Sequence, residues 1–191
     1  GGMLIDHLAA RPDFDAVISD ESDRLMDSGG GVAKALPLLV YSPFLILNGD
    51  SFWLEAPDTD ETNLSRMATA WDPQQMDMLI MTAPMDQAIG YDGKGDTLAD
   101  AAGRLRRYDR HTPEPHVYAG VIMTHPGIFA DAPDEPFSLN WCFDRAIAAG
   151  RLFGMPSRSL WLTVGTPEAV GEAEAAMRAF RAAEAAAEGL P

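Results

Sequence analysis

A continuous apolar run that ends in a polar tripeptide organises this chain: Pro43-Phe44-Leu45-Ile46-Leu47-Asn48-Gly49-Asp50. Such a run is typical of a strand buried on both faces of a sheet. Open α/β sheets bind ligands beyond the carboxyl ends of these strands, which is where Asp50 lies. A carboxylate there can hold Mg²⁺, whose other ligands are commonly phosphate and water. An Asn-Gly hairpin turn is the alternative, but the residues after Asp50 do not resume an alternating strand, so we favour a metal-binding Asp50.

Strand and helix patterns alternate on both sides of this run. The alternation predicts an α/β fold with a mixed, mostly parallel sheet, and the length predicts a single domain over residues 1–191. Further strands are predicted at 14–19, 76–82, 117–124 and 160–164, with two short hairpin strands at 97–98 and 105–108. Helices are predicted at 3–11, after the glycines at 29–31, from a cap at Asn63, at 139–149 and from 167 onward.

Composition excludes several classes of protein. The chain of 191 residues carries 14 Lys and Arg against 29 Asp and Glu, a formal net charge of −15, which argues against nucleic-acid and membrane-surface partners. The longest apolar stretch is interrupted by Pro37 and Pro43, and no basic, apolar leader opens the sequence. Cys142 is the only cysteine, which excludes an internal disulfide. We therefore expect a cytoplasmic protein.

Glycines mark two further candidate positions. Ser28-Gly29-Gly30-Gly31 precedes a helical pattern, so backbone N–H groups there could face an anion or a flat base. The same residues also fit a simple turn, and the sequence leaves both interpretations open. Gly120 lies inside a predicted strand, where glycine often marks the close approach of a ligand or of another backbone.

Basic residues concentrate at Arg104, Arg106, Arg107 and Arg110. Arginine suits phosphate recognition, but arginines that alternate along a strand need no ligand, so a solvated hairpin face is the favoured interpretation. The histidines show no metal-ligand spacing, and no Gly-x-Ser-x-Gly motif is present.

Four motifs in order resemble a known family. The first two are Asp27-Ser28-Gly29-Gly30-Gly31 with Lys34-Ala35-Leu36-Pro37-Leu38-Leu39, and the run at 43–50. The others are Tyr118-Ala119-Gly120-Val121 and Leu160-Trp161-Leu162-Thr163-Val164-Gly165-Thr166-Pro167-Glu168. Together they cover nearly the whole chain, which resembles sugar-1-phosphate nucleotidyltransferases. Within that family it is most similar to bacterial N-acetylmuramate-1-phosphate uridylyltransferases and mannose-1-phosphate guanylyltransferase-like proteins.

The resemblance implies a Rossmann-like fold of the nucleotide-diphospho-sugar transferase type. It implies an enzyme that joins a nucleoside triphosphate to a sugar 1-phosphate and releases pyrophosphate. The substrates would be UTP with N-acetylmuramate 1-phosphate, or GTP with mannose 1-phosphate. Asp50 would be the catalytic residue that holds Mg²⁺. The nucleotide would contact Gly29, Gly30, Gly31 and Asn48, and the sugar would contact Asp96, Tyr118 and Gly120.

The sequence departs from the family at two places. It lacks the opening Gly-x-Gly-Thr-x-Met motif and the downstream Pro-Lys that bind the triphosphate, so the fold is expected to be N-terminally incomplete, with an uncovered sheet edge. Thr163 stands where the family carries a second Mg²⁺-binding aspartate, and a neutral hydroxyl cannot replace that charge. A non-catalytic nucleotide or sugar-phosphate binding module is therefore the alternative function. The sequence leaves open whether the chain forms a homo-oligomer.

Overall fold

Helices and strands alternate along most of the chain. The computed structural model describes residues 2–11, 13, 15–39, 42–56, 59, 61–187 and 189. The helices are α1 (Gly2–Ala9), α2 (Asp27–Ala35), α3 (Asn63–Ala70), α4 (Asn140–Ala148) and α5 (Pro167–Ala187). The strands are β1 (Phe44–Leu47), β2 (Ser51–Leu54), β3 (Met78–Pro84), β4 (Ala88–Ile89), β5 (Thr97–Ala99), β6 (Leu105–Arg107), β7 (His116–Thr124), β8 (Leu152–Pro156) and β9 (Leu160–Thr163).

The strands form a large and a small sheet. The six-stranded sheet has the order β6-β5-β7-β3-β8, and β1 also pairs with β7. Both β1 and β3 run antiparallel to β7, and β8 runs parallel to β3, so β1, β3 and β8 share one direction. The small sheet has the order β2-β9-β4. The predicted α/β class with a mixed sheet is confirmed. The expectation that the sheet is mostly parallel is wrong for the described part of the chain, where only the β3–β8 and β4–β9 pairs are parallel.

Strands β3 and β7 form the centre of the core. Alternate residues of each strand point to opposite faces, so that Ile80 and Ile122 join one apolar cluster while Leu79 and Val121 join the other. Helices α2 and α4 cover the first face, and α3 and the small sheet cover the second. Coverage of both faces explains why these strands consist almost wholly of apolar residues.

Strand β1 is covered on one face only within the described residues. Phe44 and Ile46 pack against the cluster beside α4, whereas Leu45 and Leu47 remain 36% and 52% exposed. The expectation that β1 is buried on both faces is therefore wrong for the part of the chain described. The apolar run alone could not reveal this, because burial of the second face depends on what packs there and not on the strand itself.

Several local predictions differ from the structure. The described residues of the segment 14–19, which are 15–19, form no strand, and Val17 and Ile18 are exposed; Phe14 lies outside the described residues. An alternating pattern produces a strand only where a partner strand and a core face exist. Thr62, not Asn63, caps α3, since its side chain accepts a hydrogen bond from the Ser65 N–H. The strands β2, β4 and β8 were not predicted.

The glycines at 29–31 lie inside α2 and not in a loop before it. The N–H groups of Gly29 and Gly30 both donate to the Phe137 carbonyl, at 2.8 and 3.0 Å. A Cβ built on Gly29 would lie 2.5 Å from the Phe137 ring and 2.8 Å from its carbonyl oxygen. Glycine is thus required here for the close packing of α2 against the segment before α4.

This contact predicts opposite effects for two glycine-to-alanine substitutions in helices. Gly29→Ala should lower the free energy of unfolding by about 1–3 kcal/mol, because the new methyl group meets the Phe137 backbone. Gly171→Ala in α5, where a Cβ meets nothing within 4 Å, should raise it by up to about 1 kcal/mol through helix propensity. Urea unfolding measures both. Equal stabilisation by the two substitutions would contradict the packing described.

Candidate functional site

The turn Asn48-Gly49-Asp50 connects the large sheet to the small one. The Asn48 N–H donates to the Gly120 carbonyl at 2.8 Å, and the Val164 N–H donates to the Asp50 carbonyl at 2.8 Å. Backbone hydrogen bonds therefore hold both ends of the turn. The Asp50 side chain is exposed, and its carboxylate has no hydrogen bond or ion pair among the described residues. It is free to bind a ligand.

The residues after Asp50 form β2, contrary to the expectation that no strand follows the turn. The turn is nevertheless not a hairpin, because β2 pairs with β9 in the other sheet and not with β1. The prediction that Asn48-Gly49 does not form a hairpin turn is therefore confirmed, although a strand does follow it.

Gly120 permits the close approach of this turn to β7. Its φ of +75° lies in the region that favours glycine. A Cβ at this position would lie 2.3 Å from Ser51 Oγ and 3.1 Å from Asn48 Cβ. Of the two explanations open from sequence, the structure shows the approach of another segment of the chain.

Thr163 lies directly beside Asp50. Thr163 is the register partner of Ser51 in the β2–β9 pair, and its hydroxyl donates to the Asp50 carbonyl oxygen at 3.3 Å. A Cβ built on Gly165 would lie 3.4 Å from Asp50 Oδ2 and 3.8 Å from Thr163 Oγ1, so the carboxylate and the hydroxyl face the same small volume. Strand pairing thus brings together the two positions that the resemblance relates to metal binding.

The donor set at Asp50 is small. No group of three or more His, Cys, Asp or Glu side chains that could hold a metal occurs among the residues described. One carboxylate with a neighbouring hydroxyl suits Mg²⁺ bound together with substrate phosphates, because Mg²⁺ commonly uses one or two protein carboxylates and completes its shell from phosphate and water. The set does not suit a metal held by protein side chains alone.

A cavity of about 310 Å³ lies between the large sheet and α4. Three of the predicted site residues, Asn48, Asp96 and Tyr118, line it, and Ser28 at the start of α2 lines it as well. Thr97, Arg107 and Phe143 also contribute to its wall. The sequence did not indicate Thr97 and Phe143, and it favoured a solvated hairpin face over phosphate recognition for Arg107. The turn that carries Asp50 and the hairpin β5–β6 therefore contribute residues to the same cavity.

Two hydroxyl groups in this wall are buried without hydrogen-bond partners among the described residues, namely those of Tyr118 and Thr97. Buried polar groups are nearly always paired, so unpaired ones facing a cavity point to a ligand that pairs with them. Burial raises the pKa of Tyr118, and the nearby Asp50 carboxylate raises it further, so the phenol stays protonated and can donate a hydrogen bond.

Asp96 forms hydrogen bonds with other residues of the protein. Its carboxylate accepts hydrogen bonds from the Tyr118 N–H at 2.8 Å and from the Tyr91 hydroxyl at 3.2 Å, and its N–H donates to the His116 carbonyl at 2.9 Å. Asp96 therefore fixes the position of Tyr118 relative to β5. The glycines at 29–31 also contact other parts of the protein. The N–H groups of Gly29 and Gly30 donate to the Phe137 carbonyl, and Gly31 faces the Glu21 carboxylate.

The four clustered arginines lie on the hairpin formed by β5 and β6 and its continuation. Carboxylates lie beside three of them. Arg104 faces Asp100, Arg106 faces Asp109, and Arg107 faces Asp144. The favoured interpretation as a hairpin is confirmed, but Arg107 differs from its neighbours because it also lines the cavity.

Comparison with known proteins agrees with the resemblance seen in the sequence. No protein-family model matches the chain. The chain is 40% identical over 159 residues to the N-acetylmuramate alpha-1-phosphate uridylyltransferase of Caulobacter vibrioides, a match that covers 83% of this chain and 64% of the relative. The chain thus spans somewhat less than two thirds of that protein.

Solved structures show the same fold at low sequence identity. HddC from Yersinia pseudotuberculosis, solved with GMP-PN, superposes with a TM-score of 0.65 at 17% identity, over 88% of this chain and 70% of that one. The inositol-1-phosphate CTP transferase of T. maritima gives 0.66 at 12% identity, over 87% and 67%. UDP-glucose pyrophosphorylase from Acinetobacter baumannii gives 0.58 at 15% identity, over 88% and 67%. The fold is that of the nucleotide-diphospho-sugar transferases, as predicted.

The described part of the chain includes no helix that is long and apolar enough to cross a membrane.

The unpaired hydroxyl of Thr97 predicts a contrast between two threonines. Thr97 is 4% exposed without a partner, whereas Thr124 is 0% exposed and donates to the Asp77 carbonyl at 2.8 Å. Thr97→Val should change the free energy of unfolding by less than about 0.5 kcal/mol, and Thr124→Val should lower it by about 1 kcal/mol or more. Chemical denaturation measures both values. A loss at Thr97 equal to that at Thr124 would show that its hydroxyl is paired in the folded protein.

Proposed function

We propose that the protein carrying this chain, a relative of sugar-1-phosphate nucleotidyltransferases in sequence and fold, transfers a uridylyl group from UTP to N-acetylmuramate 1-phosphate. The identity of 40% to an N-acetylmuramate alpha-1-phosphate uridylyltransferase supports this choice over GTP with mannose 1-phosphate. One structural observation carries the proposal. The free Asp50 carboxylate lies at the end of β1, beside Thr163 and near a cavity with unpaired hydroxyl groups.

The reaction is an exchange of phosphate bonds. An oxygen of the sugar phosphate attacks the α-phosphorus of UTP, a new P–O bond forms, and the bond to the β-phosphate breaks as pyrophosphate leaves with its electron pair. Such a reaction needs alignment of the two substrates and compensation of their charge, and it needs no nucleophile from the protein. A chain with a net charge of −15 repels both anionic substrates, so charge compensation is the harder requirement here.

In the proposal Asp50 holds Mg²⁺, which offsets the charge of the phosphates. The Asp50 carboxylate suits this role because it is exposed and forms no ion pair among the described residues. Thr163 can contribute only a neutral hydroxyl oxygen. Metal affinity is therefore expected to depend on the phosphates of the substrates as well as on the protein.

The sugar binds in the cavity beside α4, with the Tyr118 and Thr97 hydroxyls paired to groups of the sugar. Asp96 and Gly120 act through positioning in this proposal, since Asp96 fixes Tyr118 and Gly120 admits the turn that carries Asn48 and Asp50. The nucleotide binds on the side of α2. Gly29, Gly30 and Gly31 shape that side through their packing, because the N–H groups of Gly29 and Gly30 donate to Phe137.

The proposed reaction produces a nucleotide sugar related to the bacterial cell wall. Its substrate UTP and the single, buried Cys142 support a cytoplasmic setting, in which free thiols are the rule.

A binding module without turnover is the second candidate function. Thr163 favours it, because this neutral residue stands where the family carries a second metal-binding aspartate. The two candidates differ in one measurable respect, because only the enzyme forms pyrophosphate from UTP and the sugar phosphate.

Asp50→Asn tests the proposal in the whole protein. With UTP, N-acetylmuramate 1-phosphate and Mg²⁺, the substitution should reduce pyrophosphate release at least about 100-fold, since it removes the carboxylate proposed to hold the metal. Thr163→Asp should lower the Mg²⁺ concentration needed for half-maximal rate, because it adds a second carboxylate beside the first. A coupled pyrophosphate assay measures both effects.

Asp134→Asn is the matched control, since it makes the same chemical change at an exposed position outside the site. It should leave the rate unchanged. Full activity of Asp50→Asn would refute the role of Asp50. Nucleotide binding without any pyrophosphate release by the unsubstituted protein would favour the binding module.

A further inference from the structure

Arg107 has a position that its neighbours on the hairpin do not share. It lies on the edge strand β6, in register with Thr97 of β5, and Thr97 is in register with His116 of β7. Residues that face each other across paired strands point to the same side of the sheet. The side chain of Arg107 is thereby directed to the side where α4 and the cavity lie.

The guanidinium of Arg107 forms hydrogen bonds with α4, but these bonds do not occupy all of its N–H groups. Nε and Nη2 donate to Asp144 Oδ1 at 3.1 and 2.9 Å, Nη2 also approaches the Asn140 carbonyl at 3.4 Å, and the group lies over the Phe143 ring at 5.7 Å from its centre. Nη1 has no hydrogen-bond partner among the described residues. The side chain is thus oriented in advance, with one nitrogen left for a ligand.

Arg107 also differs from the other residues of the cavity wall in its charge. It is the one cationic side chain in the cavity wall formed by the described residues, where Asp96 supplies the one carboxylate. The Asp96 carboxylate oxygens already accept hydrogen bonds, one from the backbone N–H of Tyr118 and one from the hydroxyl of Tyr91. Arg107 also lines a second cavity, together with Lys94, Arg110 and the carboxylates of Asp92 and Asp96.

The two ends of the inner cavity differ in chemistry. Asn48, which adjoins Asp50, forms its hydrogen bond with Gly120 of β7, whereas Arg107 stands level with His116 of the same strand. Residues 116 and 120 are four positions apart along β7, whose register against β3 shifts between Tyr118 and Ile122. A sugar whose phosphate is near Asp50 therefore directs its far side towards Arg107.

We propose that Arg107 binds a carboxylate carried by the sugar and so selects an acidic sugar over a neutral one. This inference rests on the proposed function, in which the sugar is N-acetylmuramate 1-phosphate. That sugar differs from N-acetylglucosamine 1-phosphate by a lactyl ether, which carries a carboxylate away from the phosphate. Arginine suits the task because its charged N–H groups form strong hydrogen bonds with carboxylate oxygens. The position and charge of Arg107 are what discriminate between the two sugars.

The test compares two sugars in the whole protein and in the Arg107→Gln variant. With UTP and Mg²⁺, the variant should lose about 10- to 100-fold in kcat/KM for N-acetylmuramate 1-phosphate, the value expected for one charge-assisted hydrogen bond. It should change by less than about threefold with N-acetylglucosamine 1-phosphate. In the unsubstituted protein, the methyl ester of the lactyl carboxylate should be as poor a substrate as the neutral sugar.

Arg106→Gln is the matched control, because Arg106 is the next residue, forms its own ion pair with Asp109 and is not part of the cavity wall. It removes the same charge and should preserve the preference for the acidic sugar. Equal losses with both sugars in Arg107→Gln would show that Arg107 binds the shared phosphate or only supports the fold, and would overturn the proposal. A preserved preference in that variant would overturn it as well.

A binding measurement separates this inference from the proposed function. Ligand-observed NMR with unphosphorylated N-acetylmuramate, its methyl ester and N-acetylglucosamine requires no turnover. Binding of N-acetylmuramate alone, lost in Arg107→Gln, would support carboxylate selection even if no pyrophosphate were formed. Equal binding of all three sugars, or none by any, would count against it even in an active enzyme.

Discussion

The site depends on one close contact, that of the Asn48–Ser51 turn with the backbone of β7 at Gly120. The hydrogen bond from Asn48 to Gly120 joins the turn to the large sheet, and the one from Val164 to Asp50 joins it to the small sheet. Because both sheets hold the same turn, the backbone of Asp50 has a defined position, and its carboxylate and the Thr163 hydroxyl face the same small volume beside Gly165. A side chain at residue 120 would clash with Ser51 and Asn48 and would force the turn away from β7.

The sequence predicted the elements whose signals are local. The apolar runs of β3 and β7 are buried on both faces, and Thr166 with Pro167 begins α5 as the capping pattern predicts. Elements that depend on partners were less predictable. Residues 15–19 alternate but have no strand to pair with, and β8 was missed because Gly154 and Pro156 weaken its pattern while its pairing with β3 stabilises it.

The same distinction between local signals and strand pairing applies to the residues of the candidate site. Asp50 and Thr163 were found through motifs, and the β2–β9 pairing places them side by side as those motifs imply. Thr97 was not predicted, and Arg107 was assigned to a solvated hairpin face. Their position in the same cavity wall as Tyr118 requires the register of three strands, which no local pattern encodes. The glycines at 29–31 carried an ambiguous signal. Only the structure shows that two of them serve the contact with Phe137.

The turn that carries Asp50 is held at both ends by main-chain groups: an N–H of Asn48, a carbonyl of Asp50 and their backbone partners. Hydrogen bonds between main-chain groups do not require a particular side chain, so most substitutions leave them in place. Evolution can therefore exchange the acidic or hydroxyl groups at 50 and 163 while the scaffold around them stays in place, provided that residue 120 remains glycine. The geometry of the turn is in that sense independent of which side chains stand at positions 50 and 163.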